Sequence, residues 1–269
     1  MIRQWFLATA IVLLSLGLPV MAGVPLEFED APLRAVRFVD PRVGWAVGDH
    51  GTIWQSIDGG QTWERLKIGQ NASFRSICFL TPYTGWIAGR IEAAPGVGSR
   101  GVLLNTTDGG VTWRELAGVN LPGLNYVKFF DENRGIVAGD GTPVLPSGLL
   151  QTVDGGKTWS PITGPRVPTW LAAEFSSPGN GIVAGAWSRM MLLRDGNLSS
   201  AQLDPMAGRS IRACTLSGSR AVAVADGGRV LLSENQGRSW GFASLPMPVA
   251  VADFIDYRAV SVVGEQIWI

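Results

Sequence analysis

The sequence has little of the chemistry on which most metal proteins and many hydrolases depend. Among its 269 residues there are one histidine, two cysteines and three tyrosines. A histidine metal site or a Ser-His-Asp triad would have to rest on His50, which stands in Asp49-His50-Gly51, a sequence typical of a turn. We therefore expect His50 to be a turn residue, and we predict a protein with no bound metal and no cofactor.

Charge is scarce as well. Charged residues make up 16% of the chain, the formal net charge is zero, and the sequence contains no block rich in Lys or Arg. Because nucleic-acid binding requires clustered basic residues, the composition argues against a nucleic-acid partner.

The N-terminal hydrophobic run is too short for a comfortable membrane span. Arg3 precedes the apolar stretch Phe6–Val20, and Val20-Met21-Ala22 then offers side chains that suit a signal peptidase. We predict a cleaved signal peptide over 1–22 and export, with residues 23–269 forming a single domain. An uncleaved N-terminal anchor is the alternative.

Glycine and tryptophan, in contrast, are abundant and recur in one motif. Ser56–Trp63 reads S-I-D-G-G-Q-T-W and recurs at Thr106–Trp113 and Thr152–Trp159, with a degenerate copy at Ser233–Trp240. The Asp carboxylate can accept bonds from N–H groups ahead of it, glycine permits positive φ, and the Trp can anchor the returning strand. We predict a structural hairpin, the Asp-box, formed by Asp58, Gly60, Trp63, Asp108, Gly110, Trp113, Asp154, Gly156, Trp159, Asn235, Gly237 and Trp240.

Internal repeats of about 40 to 50 residues predict the fold. Each unit has four short strands, and the small residue that ends the second strand recurs at Gly48, Gly89, Gly139, Gly185, Ala225 and Gly264. Four antiparallel strands per unit are the signature of a β-propeller blade. The predicted fold class is therefore all-β, a β-propeller whose units we number as blades one to six.

The sixth blade is incomplete in the sequence pattern. It has three strands, Ala250–Phe254, Ala259–Val263 and Gln266–Ile269. Leu26–Glu29 would supply the missing outer strand and close the ring by main-chain pairing, which removes exposed strand edges. We predict six blades closed by this N-terminal strand, with a relative of seven-bladed proteins as the alternative.

Other inner-strand positions have structural explanations. Cys78 and Cys214 fall on the inner strands of blades two and five in different registers, so we expect two buried free thiols. The register of Cys78 also contains Lys128 and Glu174, and inter-blade ion pairs explain its mixed charges.

The strand order defines two rims. If the inner strands run from rim A to rim B, the connections between second and third strands lie on rim A and the Asp-box turns lie on rim B. Two rim A connections carry insertions, Arg90–Arg100 and Asp140–Ser147, which their Pro and Gly residues predict to be surface loops.

Rim A collects the candidate binding residues. Arg34, Arg75 and Arg212 occupy equivalent positions at the starts of inner strands, near the expected mouth of the channel. Guanidinium groups there suit carboxylates, backbone carbonyls or an acidic loop of a partner protein. The alternative is that each arginine pairs with a neighbouring acid. The candidate partner-binding set is Arg34, Arg75, Arg212, Arg90, Arg100, Asn125, Trp187 and Arg189.

An enzyme is the rival class. Asp-boxes also occur in sialidases and other glycoside hydrolases, whose chemistry needs paired carboxyl groups or a Tyr nucleophile. Tyr83 and Tyr257 fall in turns on rim B, so Tyr126 with Glu174 is the sole plausible pairing, and these two lie in different registers. We predict no catalytic residue and no enzyme activity, with a secreted sialidase-like hydrolase or a glycan-binding propeller as the alternative.

One extended repeat carries a family resemblance. Val43–Trp63 reads V-G-W-A-V-G-D-H-G-T-I-W-Q-S-I-D-G-G-Q-T-W, and blade two repeats its parts at Thr84–Gly89 and Val102–Trp113. This pattern resembles the photosystem II stability/assembly factor family of cyanobacteria and plastids, over essentially the whole mature chain.

The resemblance implies a non-enzymatic protein that is periplasmic, thylakoid-lumenal or extracellular. It also implies binding to a membrane-protein assembly intermediate through an arginine patch, matched here by Arg34, Arg75 and Arg212. The family is typically seven-bladed, whereas this chain supports six. We expect a monomer that binds a protein partner.

Overall fold

The strands form consecutive antiparallel sheets in the chain order that the repeats predict. A computed structural model describes residues 31–66, 68–92, 98–116, 120–244, 254–264 and 266–269, which belong to one compact unit. Within these ranges the chain has no helix with the length and hydropathy needed to cross a bilayer.

Five sheets have neighbouring strands in sequence order, and we number them as blades one to five. Blade one contains β1 (Leu33–Phe38), β2 (Gly44–Gly48), β3 (Ile53–Ser56) and β4 (Glu64–Leu66). Blade two contains β5 (Ser73–Phe79), β6 (Gly85–Glu92), β7 (Ser99–Thr106) and β8 (Arg114–Glu115). Blade three contains β9 (Leu124–Phe129), β10 (Gly135–Gly139), β11 (Leu149–Thr152) and β12 (Ser160–Pro161). Blade four contains β13 (Trp170–Ser177), β14 (Asn180–Gly185), β15 (Met190–Arg194) and β16 (Asn197–Ser200). Blade five contains β18 (Ile211–Ser217), β19 (Arg220–Ala225), β20 (Arg229–Ser233) and β21 (Ser239–Phe242).

Two features of the last sheets were not predicted in this form. β17 (Gln202–Leu203) pairs in parallel with β21 and makes the sheet of blade five five-stranded. The final sheet has two described strands, β22 (Ser261–Val263) and β23 (Gln266–Trp268). The predicted signal peptide, Leu26–Glu29 and residues 250–253 of the predicted sixth inner strand lie outside the described residues, so six blades and N-terminal closure stay predictions.

β1 differs from the other inner strands in its exposure. Leu33 and Val36 are 56% and 61% exposed, whereas Phe74 and Ile77 at the equivalent positions of β5 are buried. In blade two these positions pack in a core that also contains Trp45 of blade one. Closure of the ring would have to cover the same face of β1.

The insertion of blade two is not the simple surface loop that we predicted. β6 and β7 continue through it, with Arg90 opposite Gly101 and Glu92 opposite Ser99. The longer pairing satisfies the backbone groups of the insertion on both sides. Residues 93–97 lie outside the described residues.

Aromatic rings join neighbouring blades. Trp45 of β2 lies parallel to Phe79 of β5, with ring centroids 3.6 Å apart, and Trp86 lies in the same way on Phe129, at 3.8 Å. The indole N–H of Trp45 donates to the carbonyl of Gly109, in the Asp-box of blade two, at 3.3 Å. The core therefore lies between the sheets, because a residue of one blade fills the space beside the next.

The Asp-box is a closed set of local hydrogen bonds. Asp58 accepts the backbone N–H of Thr62 at 2.9 Å, the Thr62 hydroxyl at 2.5 Å and the Ser56 hydroxyl at 2.8 Å. Ser56 accepts the N–H of Gly60, which has a φ of 87°, at 2.8 Å. Trp63 donates its indole N–H to the carbonyl of Gly60 at 3.0 Å. The motifs at Asp108 and Asp154 repeat the carboxylate bonds. In the degenerate copy, Asn235 accepts two of the equivalent bonds, from the Ser233 hydroxyl and the Ser239 N–H.

These bonds predict an acid-sensitive contribution to stability. Hydrogen bonds from the threonine hydroxyl, the threonine N–H and the Ser or Thr hydroxyl hold the pKa of Asp58, Asp108 and Asp154 at about 2. Because the folded pKa lies below the unfolded value of about 3.9, the contribution is present above that value and is lost as pH falls towards 2. We expect the melting temperature of the wild type to fall between about pH 4 and pH 2.

The matched variant is the triple substitution D58N/D108N/D154N. Asn235 already occupies this position in blade five, where it accepts from the Ser239 N–H at 3.0 Å and donates to the Ser239 hydroxyl at 2.8 Å. The triple variant should therefore fold and show a shallower decline over the same pH interval. An equally steep decline would contradict the assignment.

The cysteines agree with the prediction only in part. Both are free thiols, and Cys78 is buried, but Cys214 is half-buried. Cys214 packs at the edge of the core between blades four and five, where Ile182 and Leu216 stand in place of the large aromatic pair of earlier blades. His50 lies in a turn with a φ of 57°, as predicted.

Candidate functional site

The inner strands of blades one to five each carry a β-bulge at rim A. The pairing register of the first and second strands skips one residue in all five blades. The skipped residues are Arg34, Arg75, Asn125, Leu171 and Arg212. A bulge bends the strand and redirects the side chain of its extra residue. The repeat alignment identified these positions as equivalent, but the bulge itself was not predicted.

Two of the three equivalent arginines are held in ion pairs within their own blade. Arg34 Nη2 lies 2.5 Å from Asp49 Oδ2, and Arg212 contacts Asp226 through Nε at 2.7 Å and Nη2 at 2.8 Å. Arg34 lowers the pKa of Asp49, and Arg212 lowers that of Asp226. For these two arginines the alternative of pairing with a neighbouring acid is the one observed.

Blade two breaks this pattern because Arg90 stands where blades one, three and five have an aspartate after the second strand. Arg90 reaches into blade three and donates to Asp140 from Nη1 at 3.1 Å and from Nη2 at 2.6 Å. Its Nη2 also donates to the Ser99 hydroxyl at 2.6 Å. Arg90 Nε also lies 2.7 Å from the exposed carboxylate of Glu92, so Asp140 and Glu92 together neutralise Arg90. Blade two has no aspartate of its own at this position.

Arg75 is left as the exceptional member of the set. Its side chain is half-buried, its Nε is shielded from solvent without a hydrogen-bond partner, and it forms no ion pair with any described residue. Burial first, and then the positive charges of Arg34 and Arg90, lower the pKa of Arg75. An arginine remains protonated at neutral pH, so rim A holds a partly desolvated cation with unused donors.

The other candidate residues divide into bound and open side chains. Arg100 pairs with Glu115 at 2.6 Å, and the Asn125 amide donates to the Trp170 carbonyl at 2.8 Å. Trp187 is 70% exposed, and Arg189 is exposed with no ion pair to the described part of the chain. Rim A therefore offers Arg75, Trp187 and Arg189 as side chains whose capacity to bind is not already used.

The acids that neutralise the other arginines were missed at the sequence level. Asp49, Asp140 and Asp226 each follow directly after the small residue that ends a second strand. A column-by-column comparison of the repeats would have shown this aspartate position and its replacement by Arg90 in blade two. The signal was therefore present, but its partners lie 14 to 50 residues away along the chain.

The candidate hydrolase pair is poorly suited to catalysis. Glu174 is engaged by Lys128 of blade three at 3.5 Å, which confirms the predicted inter-blade ion pair. Burial and the negative charge of Glu174 raise the pKa of Tyr126 well above its usual value. Since a tyrosine nucleophile acts more readily as the phenolate, this environment works against that role.

Two comparisons of the sequence with known proteins match part of this chain. Residues 21–95 match the model of the photosystem II assembly factor YCF48 family. The photosystem II assembly protein Ycf48 of Thermosynechococcus vestitus is 30% identical over 82 residues, which cover 27% of this chain. That match spans 24% of the relative, about a quarter of its length.

Two solved structures share the fold at low sequence identity. A structure described as YCF48 bound to D1 peptide is 21% identical, with a TM-score of 0.65, and the match covers 88% of this chain and 75% of that one. The structure of an ancestral GH74 enzyme is 13% identical, with a TM-score of 0.62. That match covers 86% of this chain and 33% of the enzyme. At such identities the likeness shows the β-propeller fold alone, and this fold hosts enzymes and non-enzymes. On the family match, the curated relative and the fold together, the chain resembles the photosystem II stability/assembly factor family of Asp-box β-propellers.

Proposed function

We propose that this protein is a non-enzymatic propeller that binds a segment of a partner protein through rim A, in the manner of an assembly factor for a membrane protein. The observation that carries the proposal is Arg75, a half-buried guanidinium with an unpartnered Nε. Leaving a charged donor desolvated and unpaired is unfavourable, and a carboxylate from a partner would satisfy it.

The charged residues around Arg75 favour recognition of a partner carboxylate at Arg75 itself. Arg34 and Arg90 act on it as cations, while Asp49 and Glu92 act as anions. Arg34 and Arg90 are themselves held by Asp49 and Asp140, so they do not need to rearrange to admit a ligand. A preorganised site of this kind loses little conformational entropy on binding.

The partner is proposed to be an extended acidic segment of a membrane protein. A YCF48 structure that shares this fold is bound to a D1 peptide, so a peptide of D1 is the natural first probe. Export accords with this role, because the N-terminal 1–22 sequence has the features of a signal peptide, although it lies outside the described residues.

The glycan-active alternative has one supporting observation, the shared fold with an ancestral GH74 enzyme. It lacks a matching site chemistry, since Glu174 is engaged by Lys128 and the environment of Tyr126 disfavours the phenolate. Turnover of a glycoside that is lost in Glu174→Gln would overturn the non-enzymatic proposal.

The direct test is the affinity of Arg75→Gln for a fluorescein-labelled D1 peptide, measured by anisotropy. We expect binding about ten-fold to a hundred-fold weaker than the wild type, because a charge-assisted hydrogen bond is lost. The melting temperature should not fall, since Arg75 has no ion pair within the described chain to lose.

The control is Arg220→Gln, which removes an exposed arginine at the start of β19 on rim B. It should bind the peptide like the wild type. A peptide in which amides replace the acidic side chains should bind the wild type and Arg75→Gln with equal affinity. Equal affinity of Arg75→Gln and wild type for the acidic peptide would overturn the role of Arg75.

A further inference from the structure

The connection between β14 and β15 is a strained turn on rim A. It runs from Ala186 to Arg189, and the Arg189 N–H donates to the Ala186 carbonyl at 3.3 Å. Its two central residues, Trp187 and Ser188, both have a φ of 58°. A bulky L-residue is rarely found in this left-handed region because its Cβ crowds the backbone.

The same connection in blades one and five contains glycine. Blade one has His50 and Gly51 at φ values of 57° and 69°, and blade five has Gly227 and Gly228 at 68° and 63°. Two-residue hairpin turns with positive φ at both positions favour Asn-Gly and Gly-Gly. Trp187 occupies the position of His50 in blade one and of Gly227 in blade five, so blade four has the bulkiest of the three side chains at a left-handed position that glycine fits best.

Within the described residues Trp187 makes no hydrogen bond, aromatic contact or cation–π contact that would offset this strain. Its side chain is 70% exposed. Ser188 meanwhile fixes the turn to blade five, since its N–H and its hydroxyl both donate to the Arg209 carbonyl, at 2.8 Å and 3.1 Å. The indole is therefore presented to solvent on a braced turn.

We propose that Trp187 is an aromatic anchor for the partner segment, and that this segment carries a large apolar side chain next to a carboxylate. Tryptophan on a rigid support is a frequent hot spot of protein interfaces. The adjacent Arg189 is an exposed cation without an ion pair to the described residues, which makes a neighbouring carboxylate the complementary group. This inference rests on the proposed function of rim A and adds a second contact, on blade four, to that of Arg75 on blade two.

The test separates strain from binding in two substitutions. Trp187→Asn removes the indole and places at this position a residue that tolerates positive φ. We expect its melting temperature to rise by about 2–4 °C and its affinity for the D1 peptide to fall about ten-fold or more. Ser188→Gly relieves strain in the same turn and loses the hydroxyl bond to the Arg209 carbonyl, but it keeps the indole and the shorter N–H bond to that carbonyl, so it should bind the peptide like the wild type.

The outcomes distinguish this inference from the proposed function. Weakened binding in Trp187→Asn, with binding retained in Ser188→Gly, supports the anchor. Wild-type affinity in Trp187→Asn together with weakened binding in Arg75→Gln overturns the anchor alone. An unchanged or lower melting temperature of Trp187→Asn overturns the strain argument on its own. A wild-type protein that binds neither the D1 peptide nor its amidated form overturns the proposed function.

Discussion

Replacing Trp45 by alanine should lower the free energy of unfolding by about 3–5 kcal/mol, because it removes a buried aromatic side chain and leaves a cavity. Trp45 is fully buried, lies parallel to Phe79 of the next blade and donates to the Gly109 carbonyl. The substitution therefore removes a contact between blades as well as a core side chain. Chemical denaturation followed by circular dichroism measures the loss.

Trp268→Ala is the control for this prediction. It removes the same side chain from β23, where Trp268 is 63% exposed, so the expected change is within about 0.5 kcal/mol. The loss of unfolding free energy in Trp45→Phe should lie between those of Trp45→Ala and Trp268→Ala, since this variant keeps a ring against Phe79 but loses the hydrogen bond. A Trp45→Ala protein as stable as Trp268→Ala would show that the interface between blades one and two contributes little.

Asp140→Asn should destabilise the protein by about 2 kcal/mol, because it removes the less exposed of the two carboxylates that pair with the partly desolvated Arg90 and leaves only the exposed Glu92. The side chains of Arg90 and Asp140 are 15% and 20% exposed, which reduces the effect below that of a fully buried pair. Asp140 also accepts the Ser99 hydroxyl at 2.6 Å, so the loss extends to the strand that begins at Ser99. Equilibrium unfolding in urea measures the change.

A double substitution tests the cause. Arg90→Gln combined with Asp140→Asn should cost less than the sum of the single changes, since the cation that loses its Asp140 partner is then absent. Glu234→Gln, which breaks the exposed pair with Arg220, is the control and should have an effect close to zero. Strict additivity of Arg90→Gln and Asp140→Asn would contradict the proposed pairing.

Much of the architecture could be predicted from the sequence because the interactions that specify it are local. The bonds of the Asp-box close between Ser56 and Trp63, within eight consecutive residues, so the motif identifies its hairpin without knowledge of the rest of the chain. Repetition of that hairpin with apolar strands then indicates stacked four-stranded sheets. The extension of β6 and β7 was missed because strand pairing can continue past residues such as Arg90 that look like loop in sequence.

The candidate site was only half predictable. The alignment of the repeats placed Arg34, Arg75 and Arg212 in one column, and this equivalence is confirmed by their shared bulge. The alignment treated the three as alike. They differ because an ion pair depends on which acid lies nearby in space, and Asp49 and Asp226 have no counterpart beside Arg75.

The sequence alone determined the all-β class, the blade repeat and the Asp-box hairpins, because turn chemistry and strand periodicity act over a few residues. Only the tertiary structure decided which arginine keeps unused donors, since Arg90 finds its acid, Asp140, 50 residues away in the next blade. It also decided that Trp187 is exposed in a left-handed turn rather than buried like Trp45. Burial and charge pairing depend on neighbours that are brought together only when the blades pack side by side.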